Sequence, residues 1–319
     1  MSRLKVVVTG GAGFIGGHIV EHWVNEGADV HVIDNLRSGN IKNVMSFPSV
    51  NFHRGSITDK NLVDLAIQGA DYVHHLAAMI SVPESIEKPY ECVDINVLGL
   101  LNVLESSRRY GVKKVVHSSS AAVYGDNPDS PKQTCMPPMP KSPYGITKLD
   151  GEYYLNMYRE SFGLGTVSLR YFNVFGPRQD PKSQYAAAIP IFVSKAIKNE
   201  TITIYGDGEQ TRDFIFIKDV VSANIKAATN RNASGVYNVA CGSSISIREI
   251  AELIIKQTNS SSRIVYEPER PGDIKHSLAD VTETKSALGF NPEYDLIDGL
   301  KQTIDYFVKE FEESEKRVR

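Results

Sequence analysis

"KVVVTGGAGFIGGHI", residues 5 to 19, is the stretch that decides the fold. A run of valines closed by threonine suits a strand buried on both faces, and the apolar segment opening at Phe14 and Ile15 suits a helix. Between them Gly10, Gly13 and Gly16 stand where strand turns into helix. A Cβ there would obstruct the tight turn, the approach of backbone to a pyrophosphate, or the packing of helix on strand. The free N–H groups of the first helical turn favour an anion. Asp34 follows eighteen residues after Gly16 at the end of the second apolar run, where it would accept from both adenosine ribose hydroxyls and repel a 2′-phosphate. The pattern predicts a dinucleotide site that takes NAD, with Arg37 as the one neighbour that would suit NADP instead. Asn35, Ser38 and Gly39 suit the ribose side, Ser56 and Ile57 the adenine, and Leu76, Ala77 and Ala78 a small-residue floor.

Working outward, apolar β-branched runs at 5–9, 30–33, 51–54, 72–76, 115–118 and 166–171 read as strands buried on both faces, with helical segments at 15–25 and 97–110 between them. The alternation predicts an α/β fold, a doubly wound parallel sheet of the Rossmann type. After Pro177 the rhythm changes to isolated elements, "ITIYG", "DFIFI", "YNVA" and "SIREIAELIIKQ". The expected division is therefore a dinucleotide-binding domain over 1–176 and a smaller α/β substrate lobe over 177–319, part of which returns to the first body. In the last helix Leu300, Ile304, Phe307 and Phe311 recur at spacings of four, three and four, an apolar stripe that faces the body.

With 35 Lys+Arg scattered against 38 Asp+Glu, the net charge of −3 argues against nucleic acid or an anionic membrane as partner. The three cysteines, Cys92, Cys135 and Cys241, have no paired spacing and read as buried or loop thiols. Residues 1–9, "MSRLKVVVT", read as a basic start into a strand and not as a signal peptide, and no apolar run reaches the length of a membrane span. A cytoplasmic protein is expected. His74, His75 and His276 form no carboxylate–histidine pattern, so no metal site is expected.

"KSPYGITK" supplies Tyr144 and Lys148, four residues apart and so on one helical face, with Ser142 and Pro143 as cap and first-turn residue. A tyrosine titrates near pH 10 unaided. A neighbouring ammonium and a positively charged nicotinamide ring would both favour its phenolate.

With these residues in place the chain resembles an extended short-chain dehydrogenase/reductase of the nucleotide-sugar epimerase/dehydratase type. The landmarks appear in order: "VTGGAGFIG", "HLAA", "SSSAAVYG", "SPYGITK", "LRYFNVFGPRQDP", "YGDGEQTRDFIFIKDV" and "RPGDIKHSLAD". In members that dehydrate a sugar, the positions matching Ala121 and Ala122 resemble an Asp–Glu pair, and decarboxylating relatives keep a Glu at the second. Two alanines can neither protonate a leaving hydroxyl nor take a carbon-bound proton. What the resemblance leaves is Ser120, matching the hydroxyl that contacts sugar O4, with Tyr144 as base and Lys148 holding the nicotinamide ribose and lowering the tyrosine pKa. It implies a 4-epimerase with retained NAD, and adds Ser118 and Tyr171 to the cofactor wall.

The resemblance also carries the substrate. Arg212 and Arg270 match arginines that bind a pyrophosphate, a role their charge and fork geometry suit. Asp273 matches the residue at the uridine ribose, Asn173 the amide at the diphosphate or sugar, and Ser81 and Val82 the loop over the sugar. Ala187, Ala188, Phe192, Ile204 and Tyr205 match the wall around the uracil. Ser277 is small where a tyrosine restricts family members to glucose and galactose, which implies UDP-GlcNAc/UDP-GalNAc as the pair. UDP-glucose/UDP-galactose, a UDP-uronic acid, or an NAD-binding sensor without catalysis are the other readings. Two positions depart from the family pattern: Ser56 where an Asp often stands near the adenine, and Ala122 where glucose epimerases often carry Thr. The helices over 97–110 and 147–161 resemble the family's dimer-forming pair, so a homodimer is expected.

Overall fold

In β1 (Lys5–Thr9), Val6 and Val8 point to one side of a sheet and Val7 to the other, and all three are fully buried. A strand covered on both faces has no place for alternating polar residues, which is why it reads as unbroken valine. The computed structural model describes residues 3–181, 188–269 and 275–318. It places β1 within a seven-stranded sheet with β2 (Asp29–Asp34), β3 (Asn51–Arg54), β4 (Tyr72–His75), β5 (Lys114–Ser120), β6 (Thr166–Tyr171) and the strand Gly235–Val239. The spatial order is Gly235–Val239, β6, β5, β4, β1, β2, β3, and every pairing is parallel. The order reverses between β4 and β1, so a crevice opens beyond the carboxyl ends of those strands.

One apolar layer unites Val6, Val8, Val30, Val32 and Val116 with Ile19 and Trp23 of the helix Phe14–Asn25. The opposite layer unites Val7, Ile33, Val73 and Val115 with Leu100, Val103 and Leu104 of the helix Gly99–Arg109, and with Leu155 and Tyr158 of the helix Pro143–Phe162. Burial of apolar area at roughly 25 cal/mol per Å² makes these two layers the main support of the sheet.

Two expectations are corrected. β3 is not buried on both faces: it is the edge strand, and Asn51 and Arg54 are exposed. The helix expected over 97–110 is preceded by a widened π-type turn, Asp94–Leu98, where the buried Asn96 side chain leaves the helix to bond elsewhere. The strand Gly235–Val239 pairs in parallel with β6 after the covering helix Ile217–Thr229, and so joins the main sheet. Beyond β6 the smaller lobe pairs Asn173–Phe175 with Phe214–Phe216, Ile202–Tyr205 with Ile264–Glu267, and Thr211–Arg212 with Ile245–Ser246. The final helix, Leu296–Val318, buries Leu300, Ile304 and Phe307.

Candidate active site

The crevice is a cleft of about 900 Å³ whose wall includes every residue expected at the cofactor. Gly10, Gly13, Phe14, Ile15 and Gly16 form its turn, Asp34, Asn35, Ser38 and Gly39 follow β2, Ser56 and Ile57 follow β3, and Leu76, Ala77 and Ala78 follow β4. Ser118, Tyr144, Lys148 and Tyr171 close the far end. Gly10 has φ of +71°, and a Cβ on it would stand 2.8 Å from the backbone nitrogen of Ala77. At Gly16 a Cβ would meet the carbonyl oxygen of Gly10 at 2.2 Å.

Asp34 is nearly buried, and its two carboxylate oxygens accept from the backbone N–H of Ala12 at 3.0 Å and of Leu36 at 2.8 Å. Burial raises its pKa and those two bonds lower it. Arg37 is engaged elsewhere: its guanidinium bonds Glu84 at 2.7 Å and also Glu91. The Ser56 hydroxyl accepts from the Thr58 N–H and hydroxyl. Thr9 closes the sheet end, its hydroxyl accepting from the N–H groups of Leu76 and Ala77 and pairing with His75 at 2.9 Å.

At the chemical end Ser142 caps the helix Pro143–Phe162 by accepting from the Gly145 N–H at 3.1 Å, with Pro143 in the first position. One turn apart on this helix, Tyr144 lines the cleft and Lys148 donates its ammonium to the Ser118 carbonyl at 2.7 Å. The Lys148 nitrogen lies 5.8 Å from the centre of the Tyr144 ring. Burial pushes Lys148 down to about 8. Burial also raises Tyr144, against a lowering hydrogen bond with Ser120. In the chain alone, desolvation of the phenolate is the larger influence on Tyr144. The Ser120 hydroxyl accepts from the Ala122 N–H at 3.1 Å and opens the short turn Ala121–Val123, which carries no carboxylate. Ser118 donates to the Tyr171 hydroxyl, which donates to Asn224.

Toward the smaller lobe, Ser81 caps the helix Val82–Glu87, and Ser85 in that helix accepts from the Tyr144 N–H at 3.2 Å. Asn173 donates its amide to the Asp213 carbonyl at 3.0 Å, and Arg212 donates to the carbonyl of Thr211. Ser277 is held by its N–H to the Thr211 carbonyl, which brings it beside Arg212. Among the described residues none of these three lines the cofactor cleft, and Arg212 borders a separate cavity of about 540 Å³. Phe192 and Ile204 lie in the apolar core, 4% and 1% exposed. Ala188 begins the helix Ala188–Ile197 and Tyr205 ends its strand. Ala187, Arg270 and Asp273 lie outside the described residues.

Comparison with known proteins follows the same lines. The model of the NAD dependent epimerase/dehydratase family matches residues 6–240. The chain belongs to this family. A UDP-glucose 4-epimerase of Mycolicibacterium smegmatis is 36% identical over 309 residues, 95% of this chain and 98% of the relative. A UDP-N-acetylglucosamine 4-epimerase from Methanobrevibacter ruminantium M1, solved in complex with UDP-N-acetylmuramic acid, superposes with a TM-score of 0.92 at 41% identity, over 97% of this chain and 100% of the other. A UDP-glucose 4-epimerase of Thermus thermophilus, solved in complex with NAD, gives 0.87 at 38% identity over 95% and 99%.

NAD is the cofactor of this epimerase/dehydratase, and the cleft suits it. Gly10 and Gly16 leave no room for a Cβ, a carboxylate stands at the end of β2, and Arg37 is already paired with two carboxylates. Two buried polar residues escaped the sequence reading. Asn96 donates to the Met79 carbonyl and the Thr147 hydroxyl while accepting from the Met79 N–H, so it ties the end of β4 to the Tyr144 helix. Asp213 accepts from the N–H groups of Cys241, Gly242 and Ala279, and burial pushes it up to about 6. The available signal was a polar residue inside an apolar run, "DINVLG" and "RDFIF".

Proposed function

We propose that this chain reversibly inverts carbon 4 of a UDP-hexose, with UDP-GlcNAc and UDP-GalNAc as its pair. The observation that carries the reading is the turn Ala121–Val123: beside a serine, a tyrosine and a lysine, the two positions where an acid and a base would eliminate water hold alanine. NAD, when bound, supplies a reversible acceptor for the carbon 4 hydride. Ser120 hydrogen-bonds sugar O4, and Tyr144 takes the O4 proton and returns it after the 4-keto sugar has presented its other face. Lys148 holds the nicotinamide ribose, and its ammonium favours the phenolate that burial disfavours. Arg212 and Arg270 hold the diphosphate while the sugar turns, Asp273 holds the uridine ribose, and Asn173, Ser81 and Val82 border the sugar.

The acetamido sugar rests on the small Ser277 beside Arg212. UDP-glucose/UDP-galactose is the second reading, supported by the names of two of the relatives above. A homodimer is supported by the exposed Leu98, Ile146, Tyr153, Met157 and Phe162 on the two adjoining helical segments. Incubating the purified protein without added NAD with each UDP-sugar, and separating the 4-epimers by chromatography, tests the reading. Conversion of UDP-GlcNAc supports it in full. Conversion of UDP-glucose alone keeps the chemistry and removes the role of Ser277, and conversion of neither removes the proposal.

A further inference from the structure

The helix Pro143–Phe162 grips the end of β5 at three successive residues. Tyr144 meets the Ser120 side chain, Lys148 holds the Ser118 carbonyl, and one turn further Glu152 receives the hydroxyl of Ser119. The Ser119 hydroxyl thus turns toward the helix, whereas the Ser118 hydroxyl donates to Tyr171. Glu152 is 5% exposed and Ser119 2%. The same carboxylate takes two bonds from Arg170, Nε at 2.8 Å and Nη2 at 2.7 Å. Arg170 sits opposite Ser119 in the β5–β6 register, and its guanidinium covers the Tyr124 ring at 4.7 Å. Its neighbour Tyr171 lines the cofactor cleft.

Stability alone does not account for this arrangement. Burying two ions costs several kcal/mol, and apolar residues of equal volume often serve the fold as well. What apolar packing lacks is direction: a forked guanidinium and a carboxylate fix orientation as well as distance. One carboxylate here joins the helix, β5 and β6 at the level of the three serines. We propose that Glu152 is a positioning residue that acts through Ser119 to place Ser118 and Ser120 against Lys148 and Tyr144. The proposal rests on the epimerase reading above for its kinetic arm only.

Ser119→Ala tests it, because it deletes the link to β5 and leaves the Glu152–Arg170 pair whole. The expected result is a fall in kcat of about tenfold, with KM for the UDP-sugar and the NAD content within about twofold of wild type, since loss of alignment acts on the reacting geometry and not on binding. Ser119→Thr restores the hydroxyl and most of kcat. Hydrogen exchange of the amides at 118–122 is faster in the alanine variant and returns toward wild type with threonine. An unchanged kcat, a loss carried by KM, or equal losses in both variants overturns the proposal. If wild-type protein converts no UDP-sugar, the functional reading has failed, and the exchange arm then decides: faster exchange in alanine alone supports the link, and unchanged exchange overturns it.

Discussion

The two ends of the site are built differently. At the cofactor end the ligand surface is mostly backbone: a glycine turn, strand ends, and one carboxylate held by two N–H groups. The segment proposed for the sugar is instead gathered from distant parts of the chain, with the Asn173 amide on the Asp213 carbonyl and the Arg212 guanidinium and Ser277 N–H both on the Thr211 carbonyl. Backbone surfaces tolerate almost no substitution, because the space is defined by atoms that cannot move aside. Side-chain surfaces tolerate exchange and thereby set which sugar fits. The cofactor turn is therefore fixed by main-chain space, with the Asp34 carboxylate as its one charged group at the end of β2.

The largest expected effect lies where the two ends meet. Tyr144→Phe should lower kcat by roughly 10²–10⁴-fold while leaving bound NAD in place, since a positioned base contributes about that much. Turnover with NAD content measured on the same sample checks it, and a variant that keeps full turnover would remove Tyr144 as the base. Next is Gly16→Ala, whose Cβ would press on a backbone carbonyl at 2.2 Å. Overpacking of this kind costs about 1–3 kcal/mol. The variant should be purified depleted of NAD and with a lowered Tm, which absorbance of the released cofactor and a melting curve would reveal. Full NAD occupancy would mean that the turn yields, contrary to the contrast drawn here.

Ser277→Tyr should act only at the sugar end. Conversion of UDP-GlcNAc is expected to fall by about tenfold or more, with UDP-glucose conversion nearly unchanged, as filling a pocket typically discriminates by that order. Parallel assays on the two substrates decide, and equal losses on both would show that the residue does not sense the acetamido group. The smallest effect is on pH. Lys148 is pushed down to about 8, so its ammonium is present below that pH and lost as pH rises through it. The kcat/KM of the enzyme should decline along that limb, and a flat profile from about pH 7 to about 9.5 would show that the charge is unused. On stability the sign reverses: the unfolded lysine, with a pKa of 10.5, holds its proton more tightly. This group's contribution to stability therefore increases as pH rises from about 8 toward about 10.5.

Local patterns were enough for the sheet and the cofactor wall. Continuous valine in β1, the glycines after it and Asp34 at the end of β2 each express a requirement that is met within a few residues of the chain, so reading them in order recovers the fold. The pair Tyr144 and Lys148 was legible for the same reason, as helical spacing alone puts them on one face. Other features depend on partners far away in the chain. The strand Gly235–Val239 became the seventh of the sheet because the edge of β6 was open to it, and Phe192 and Ile204 went to the core because apolar residues are buried wherever the lobe closes over them. Glu152 reads as one more polar residue on a helix until Ser119 and Arg170 arrive from 33 and 18 residues away. Periodicity records which face is buried, but only folding decides what a buried charge meets there.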